Sequence, residues 1–510
     1  MFIRFKIKPA VVVLLLILFS LTLNCWRLNI FPKVWVDEPW NSIASYHLVT
    51  EGVLRNDVLS ARENSSQIML APALVQSLAI APVFALAGLG IWQARLPSVL
   101  MGVLVVVLTF LLARRYGIAI AVVSSVFVAF DNLVFVSART VRQEIFVAAF
   151  ALCAFLLLFT ESGNELKKVR IFLAGVVLGV GLYVHPNFLL VAVSLLFINM
   201  LLSKSGQKAR SSLWLIFGMA LGVLPYVIYV VRWDVGTGFQ VLQTQLMDRA
   251  KIFTHTGNFV LSTWGRELER YASYIFFPYR LPIFLTQAAA VIFALRRRDR
   301  LDKAILIIIF VHFVLFPLLI SYRTSRYLTV LMPFMTILVV KMVWNIAGWS
   351  FGINWHDSWS AIKKLRFSAL GAMALAMVFF ANQLGGDAWA MWRANNCAYS
   401  PLIKQIREIV PPDARVWGTM TFWFGFYDHP YHTQFSDNLA SFQPEYVILY
   451  DNEIWGNRTG VTGREDPDAA LWQPLRNQLT ALVAERGTCV GAVPNACYGN
   501  IQIFRLDWEK

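Results

Sequence analysis

Residues 94–115 read ARLPSVLMGVLVVVLTFLLARR, an apolar stretch that ends on a pair of arginines. A helix needs about 20 predominantly apolar residues to cross the hydrocarbon core of a bilayer. This stretch qualifies, and Arg114-Arg115 stop it with charges that lipid does not accept. Similar stretches recur near 9–26, 118–136, 143–160, 171–184, 187–203, 212–231, 281–295, 303–321, 327–346 and 367–382. The chain has 510 residues, of which 57% are hydrophobic and 15% charged, more apolar side chain than a soluble domain can bury. The expected fold is a polytopic α-helical membrane protein with about eleven transmembrane helices.

The formal net charge is +15, and its location decides its meaning. From Gln383 to Lys510 there are 10 Lys and Arg against 14 Asp and Glu, so the rest of the chain carries +19. Those cations cluster between apolar stretches, the pattern of loops held on the cytoplasmic face rather than of a nucleic-acid surface. The run Ile68 to Leu89 is long enough to span. If it does not cross and the amino terminus is inside, five clusters all fall inside: Arg114-Arg115, Lys167-Lys168-Arg170, Lys204-Lys208-Arg210, Arg296-Arg297-Arg298-Arg300 and Lys363-Lys364-Arg366. If it crosses, all five flip outside. We therefore expect 68–89 to be a juxtamembrane helix. Arg4, Lys6 and Lys8 before Val11 to Leu23 resemble a signal peptide, but no small-residue cleavage site follows, which predicts an uncleaved first span.

This parity divides the chain into a transmembrane domain, 1–382, with outer loops 27–67 and 232–280, and an extracytoplasmic α/β domain, 383–510. The tail domain shows helical stretches near 401–409 and 470–485, and strand-like runs at Arg415–Gly418, Tyr446–Tyr450 and Ile501–Leu506. Five cysteines are too few for a disulfide scaffold. Cys25 and Cys153 lie in apolar runs as small hydrophobes. Cys489 and Cys497 flank an expected hairpin turn and are candidates to pair outside the cytoplasm, with Cys397 as a competing partner. Asn64-Ser65-Ser66 and Asn457-Arg458-Thr459 match the N-glycosylation pattern, which arises often by chance.

Ionisable residues pool on the outer side of this topology. Trp35-Val36-Asp37-Glu38-Pro39-Trp40 follows the first span; alone, it reads as an interfacial belt with solvated acids. Asp131, Arg139, Arg142 and Glu144 fall where one span exits and the next re-enters, a place where charges are costly and either pair or act. His185-Pro186 sits at the tip between two short spans, where the histidine could equally cap a broken helix. Tyr322-Arg323-Thr324-Ser325-Arg326-Tyr327 forms another outer turn. Guanidinium forks suit phosphate oxygens, and acids near cations suit a base that accepts a hydroxyl proton. Acids and arginines together at a lipid–water boundary fit transfer from a phospholipid-type donor.

Four stretches resemble the GT-C glycosyltransferases of the protein O-mannosyltransferase and aminoarabinose-transferase (ArnT-like) type: Val36-Asp37-Glu38; Trp92 to Leu100 with its Ala-Arg-Leu-Pro-Ser run; Ser137 to Glu144; and Ser325-Arg326-Tyr327-Leu328 with Pro333. They span residues 1 to about 345 in the order and spacing of that family. The resemblance implies that Asp37 is the catalytic base, that Glu144 supports the site, and that helices after the first loop stay in the membrane surface without crossing. It depart at His185-Pro186, where aminoarabinose transferases tend to carry a lysine before a Gly-Pro turn, which argues against an aminoarabinose donor.

The expected function is an inverting glycosyltransferase that moves a sugar from a polyprenyl-phosphate donor to an outer-face hydroxyl on a glycan, glycolipid or protein. Glu38, Arg139, Arg142, His185, Arg323, Arg326 and Tyr327 are the expected substrate-binding residues. No cofactor is required; a divalent metal is compatible, though no compact ligand spacing demands one. The setting expected is a bacterial inner membrane. Among rivals, a lipid-linked glycan polymerase or ligase shares the outer-face logic. A transporter would instead place polar groups near the bilayer midplane, and a non-catalytic receptor leaves the acids and arginines unexplained.

Overall fold

The computed structural model describes residues 8–57, 69, 74–159, 164–203, 205–233, 236, 281–297, 299–319, 325–351, 367–433, 439–450 and 469–509. Most of the loop 232–280, the cluster Lys363-Lys364-Arg366, both Asn-x-Ser/Thr patterns and Arg323 lie outside them. Among the described residues, fourteen helices make the bundle: α1 (Pro9–Cys25), α2 (Asp37–Glu51), α3 (Leu74–Ala87), α4 (Ile91–Ala113), α5 (Ile118–Ala129), α6 (Asn132–Ala138), α7 (Glu144–Phe159), α8 (Asn164–Leu182), α9 (Phe188–Leu202), α10 (Lys208–Trp233), α11 (Leu281–Arg297), α12 (Arg300–Leu319), α13 (Met332–Phe351) and α14 (Phe367–Arg393). A 3₁₀ turn, Ser325–Leu331, leads into α13.

Three described helical stretches are long and apolar enough to cross a membrane: Ile91–Tyr116, Lys208–Trp233 and Arg326–Ala347. A fourth is added if the bent pair α5–α6 counts as one span. The expected count of eleven is therefore not reached by length and composition among the described residues, because several helices, α1, α7 and α9 among them, have only 15–17 residues. The expected continuous span 118–136 is a correction in kind. It breaks at Phe130-Asp131, where the two pieces meet at 62°, because the Asp131 carboxylate accepts from the Leu133 and Val134 amides and starts a new helix. α3 has 14 residues, about 21 Å at helical rise, and packs between α2 and α4.

The core of the bundle is apolar and tight: Phe110, Leu112, Phe155, Ile305, Phe334 and Val339 are fully buried. α8 and α10 cross at Gly175 and Gly179 against Gly218 and Gly222, where any side chain would meet the partner's backbone. The outer flank of α10, with Leu213, Phe217, Leu224 and Val231, is exposed, as a lipid-facing helix requires. At the end where α4 stops at Arg114-Arg115, Lys341 of α13 is clamped by both oxygens of Asp302 at 2.7 Å, and the Tyr116 hydroxyl donates to the same carboxylate at 2.5 Å. The helix directions put Lys167-Lys168-Arg170, Lys208-Arg210 and Arg296-Arg297-Arg300 at this same end, opposite the loop that carries Asp37.

The tail forms one five-stranded sheet in the order β2-β1-β3-β5-β4, made of β1 (Val416–Gly418), β2 (Tyr431–Thr433), β3 (Tyr446–Tyr450), β4 (Gly487–Asn495) and β5 (Gly499–Leu506). β1 pairs in parallel with β2 and β3, and the β4–β5 hairpin adds antiparallel to β3. Helices α15 (Tyr399–Arg407) and α16 (Ala469–Arg486) complete it. Its core runs into the bundle: Leu402, Ile406, Phe422 and Ile503 share one cluster with Val34, Ile43, Ile80 and Ala94.

Cys397, just beyond α14, is bonded to Cys497 in the β4–β5 turn. The expected Cys489–Cys497 pair does not form, because Cys489 lies back along β4 opposite Phe504, away from the turn, and is a free exposed thiol. The bond closes 100 residues, a loop for which cross-linking contributes typically 2–4 kcal/mol. Cys397→Ser should therefore lower the melting temperature of the tail by several degrees in detergent. Equal melting of variant and wild type would show that the bond does not hold the tail.

Candidate active site

Two buried arginines organise the loop after α1. Arg95, in the first turn of α4, is fully buried and grips Glu38 with two hydrogen bonds of 2.7 Å. It also donates to the Leu28 and Pro32 carbonyls, at 2.5 and 2.8 Å. Arg139, at the end of α6, donates to the carbonyls of Leu23, Asn24, Trp26 and Phe31. These include carbonyls at the carboxyl end of α1, where a cation satisfies otherwise orphaned acceptors. Its guanidinium also lies over the Phe31 and Phe135 rings.

A second set of contacts sets the register between α2 and the connector 139–143. Glu38 accepts from the Val141 amide at 3.1 Å, Asn41 donates to the Val141 carbonyl at 3.0 Å, and Gln143 donates to the Asn41 side-chain oxygen at 2.7 Å. With residues 38 and 41 locked to 141 and 143, Asp37 is brought to face Arg142. They form an ion pair.

The result is a ring of four charges drawn from four segments. Arg142 bridges Asp37 and Glu144, the latter at 3.1 Å. Arg326, from the 3₁₀ turn before α13, reaches Asp37 at 3.6 Å and Glu144 at 3.1 Å. The contact with Glu144 is a charge contact, since neither the Arg326 Nε nor the Glu144 Oε1 gains an aligned hydrogen bond. Glu144 is 5% exposed and Asp37 25%, so one acid lies behind the arginines and the other opens outward. Burial works against the charge on Arg142, but Asp37 and Glu144 outweigh it and hold its pKa above the ordinary arginine value.

Glu144 also lines a small cavity with Val147, His185, Asn187, Leu190, His312, Phe316, Tyr327 and Val330. The His185 and Tyr327 rings lie 5.4 Å apart, and His185 Nδ1 accepts from the Asn187 amide. Of the expected site residues, Asp37, Arg142, Glu144, His185, Arg326 and Tyr327 thus converge. Glu38 and Arg139, expected at the substrate, are instead engaged inside the protein. Asp131 is separate too, bonded to Gln383 of α14 besides capping α6. Arg95 was visible only as part of a motif; nothing in a linear sequence shows that it would be the partner of Glu38. Among the described residues no group of three or more His, Cys, Asp or Glu side chains has the arrangement to hold a metal ion.

Residues 71–233 match the family model of dolichyl-phosphate-mannose-protein mannosyltransferases, a region that contains Arg95, Arg142, Glu144 and His185. Solved structures match over nearly the whole chain. The fold is that of the GT-C glycosyltransferases. ArnT from Cupriavidus metallidurans bound to undecaprenyl phosphate aligns with a TM-score of 0.64 at 15% identity, covering 98% of both chains. Its apo form aligns with a TM-score of 0.55 at 17% identity, covering 96% of this chain and 97% of that one. An oligosaccharyltransferase from Archaeoglobus fulgidus, tethered to an acceptor peptide, reaches 0.53 at 11% identity, covering 98% of this chain and 74% of that one. No curated protein matches the chain by sequence. The charged ring lies where the start of α2 and the connector 139–143 meet the turn before α13.

Removing one member of a buried ion pair leaves an uncompensated charge and costs about 3–5 kcal/mol. Glu38→Gln should therefore sharply lower thermal stability and the yield of monodisperse protein, while Asp37→Asn, at a partly exposed position, leaves both near wild type. Equal melting curves for the two variants would contradict the division between scaffold and site.

Proposed function

We propose that this protein is an inverting glycosyltransferase that moves a sugar from a polyprenyl-phosphate donor to a hydroxyl acceptor at the non-cytoplasmic face of the membrane. The observation that carries the reading is the partly exposed carboxylate of Asp37 set against two arginines that share a buried second acid. In the reaction, the acceptor oxygen attacks the anomeric carbon, the bond from that carbon to the phosphate oxygen breaks, and the acceptor proton passes to Asp37. Negative charge therefore leaves Asp37 while it accumulates on the departing phosphate. Arg142 and Arg326 both contact Asp37, so they are placed to follow that charge to the phosphate. Glu144 keeps both guanidiniums in position throughout. One displacement inverts the anomeric centre. Arg323, from the same turn as Arg326, is a further candidate for the phosphate, and His185 and Tyr327 for the donor.

Two features support the compartment. The Cys397–Cys497 disulfide belongs to an oxidising environment, and the described basic clusters lie at the opposite end of the helices, as cytoplasmic loops do. A bacterial inner membrane fits both. The relatives bound to undecaprenyl phosphate, and to a dolichol-phosphate in the Archaeoglobus enzyme, support the donor class. A glycan, a glycolipid or a protein fits as the acceptor, and the proposed step requires no cofactor, while a divalent metal is compatible with it.

Asp37→Asn should lower kcat by about 10²–10⁴, the range for loss of general-base catalysis, with little change in donor affinity. The check is sugar transfer from a lipid-linked donor together with donor binding to the same purified variant. Turnover near the wild-type rate would show that Asp37 is not the base. Arg326→Gln should lower kcat without changing stability. Wild-type protein that only moves the lipid-linked sugar between leaflets would favour transport instead.

A further inference from the structure

The cavity beneath the charged ring contains two polar groups that the transfer step does not use. His312 is buried in α12, and its Nδ1 lies 3.0 Å from the Ile308 carbonyl. A carbonyl only accepts, so Nδ1 carries the hydrogen, and in the neutral ring Nε2 is the acceptor. Asn187, which lines the same cavity, stands at the N-cap position of α9, yet its side chain makes no capping hydrogen bond. Its Nδ2 is buried without a hydrogen-bond partner. His312 and Asn187 therefore add one neutral acceptor and one neutral donor to a cavity whose other lining residues are Glu144, His185 and Tyr327 and the apolar Val147, Leu190, Phe316 and Val330.

This pairing selects by chemistry. A phosphate oxygen can only accept, so it would satisfy Asn187 and face the lone pair of His312. An isoprenoid tail can satisfy neither. A hydroxyl group donates through its hydrogen and accepts through its oxygen, so it answers both at once. We infer that His312 and Asn187 form a subsite for one hydroxyl of the donor sugar, held below the phosphate-binding arginines. This inference rests on the proposed lipid-linked donor, and it makes His312 and Asn187 positioning residues for the sugar ring. A site built to bond a hydroxyl discriminates against analogues that lack it, because its buried polar groups are then left unpaired.

The test uses the purified full-length protein in lipid nanodiscs, with undecaprenyl phosphate and its mannosyl, glucosyl and galactosyl derivatives as probes. Wild type should bind at least one glycosylated lipid more tightly than the bare lipid. His312→Phe, which keeps a ring of similar shape, should weaken binding of that probe by about tenfold, the size of one hydrogen bond, and leave bare undecaprenyl phosphate within about twofold. Asn187→Ala should act in the same direction, and His312→Gln, which restores an acceptor, should recover most of the affinity. A series of monodeoxy analogues of the preferred sugar should include one that binds wild type weakly and is insensitive to His312→Phe.

The subsite is overturned if wild type binds bare and glycosylated lipids equally, or if His312→Phe weakens both to the same degree. It is also overturned if every deoxy analogue responds alike, as it would if the two groups hold only water. Binding is scored apart from turnover: a wild type that shows the sugar preference but transfers nothing counts against the proposed reaction, not against the subsite.

Discussion

The rest of the site depends on the buried pair between Glu38 and Arg95. Both side chains are buried, so each charge has the other as its counter-ion, and the geometry has little freedom. Arg95 also gathers the carbonyls of Leu28 and Pro32, while Glu38 takes the amide of Val141. One ion pair thereby joins the loop after α1, the start of α4 and the connector before α7. These segments are far apart in the chain. Asp37 and Arg142 face each other because their neighbours are bonded, and the Asp37 carboxylate need not be buried to be held in place.

This division of labour explains why adjacent acids have different fates. Asp37 and Glu38 begin the same helix, one turning towards the cleft and the other into the protein. The same holds for Arg139 and Arg142 across a single connector: the first caps α1, the second bridges two carboxylates. In each pair one member builds and the other is left available for chemistry. The charged ring is neutral as a whole, with two acids and two arginines, so the charge of each guanidinium is already shared. In the proposed reaction, proton uptake by Asp37 frees that charge for the departing phosphate.

Much of the fold was legible because hydropathy is a one-dimensional signal. The apolar runs and the alternation of basic loops located the helices, and the β-branched and aromatic run Tyr446–Tyr450 located the central strand without error. Shorter or less regular pieces were not legible. β2 has three residues, and β4 contains Gly487, Gly491 and Pro494, with a register shift between Cys489 and Gly491 that destroys alternation. The break at Asp131 was hidden because the side chains on either side are as apolar as a continuous span. At the site, charge and position brought out Asp37, Arg142, Glu144 and Arg326, but the roles of Glu38, Arg95 and Arg139 depend on long-range partners. Cys397 was named only as a competitor, since 100 residues separate it from Cys497. His312 passed unnoticed as one polar residue within an apolar run.

The tail is more than a cover over the bundle. The Val34 amide donates to the Tyr498 hydroxyl, Lys33 reaches the Cys497 carbonyl, and the disulfide ties that same turn to the end of α14. These braces act on the loop three or four residues ahead of Asp37. They come from a part of the chain that a ribosome makes 464 residues after that loop, a delay of roughly 20–90 seconds at about 5–20 residues per second. The helices can be inserted long before then, but the loop gains this support only when the β4–β5 hairpin has been made, folded and oxidised. Assembly of the charged ring is therefore tied to synthesis of the tail, and a chain still being made holds the parts of the ring without its brace.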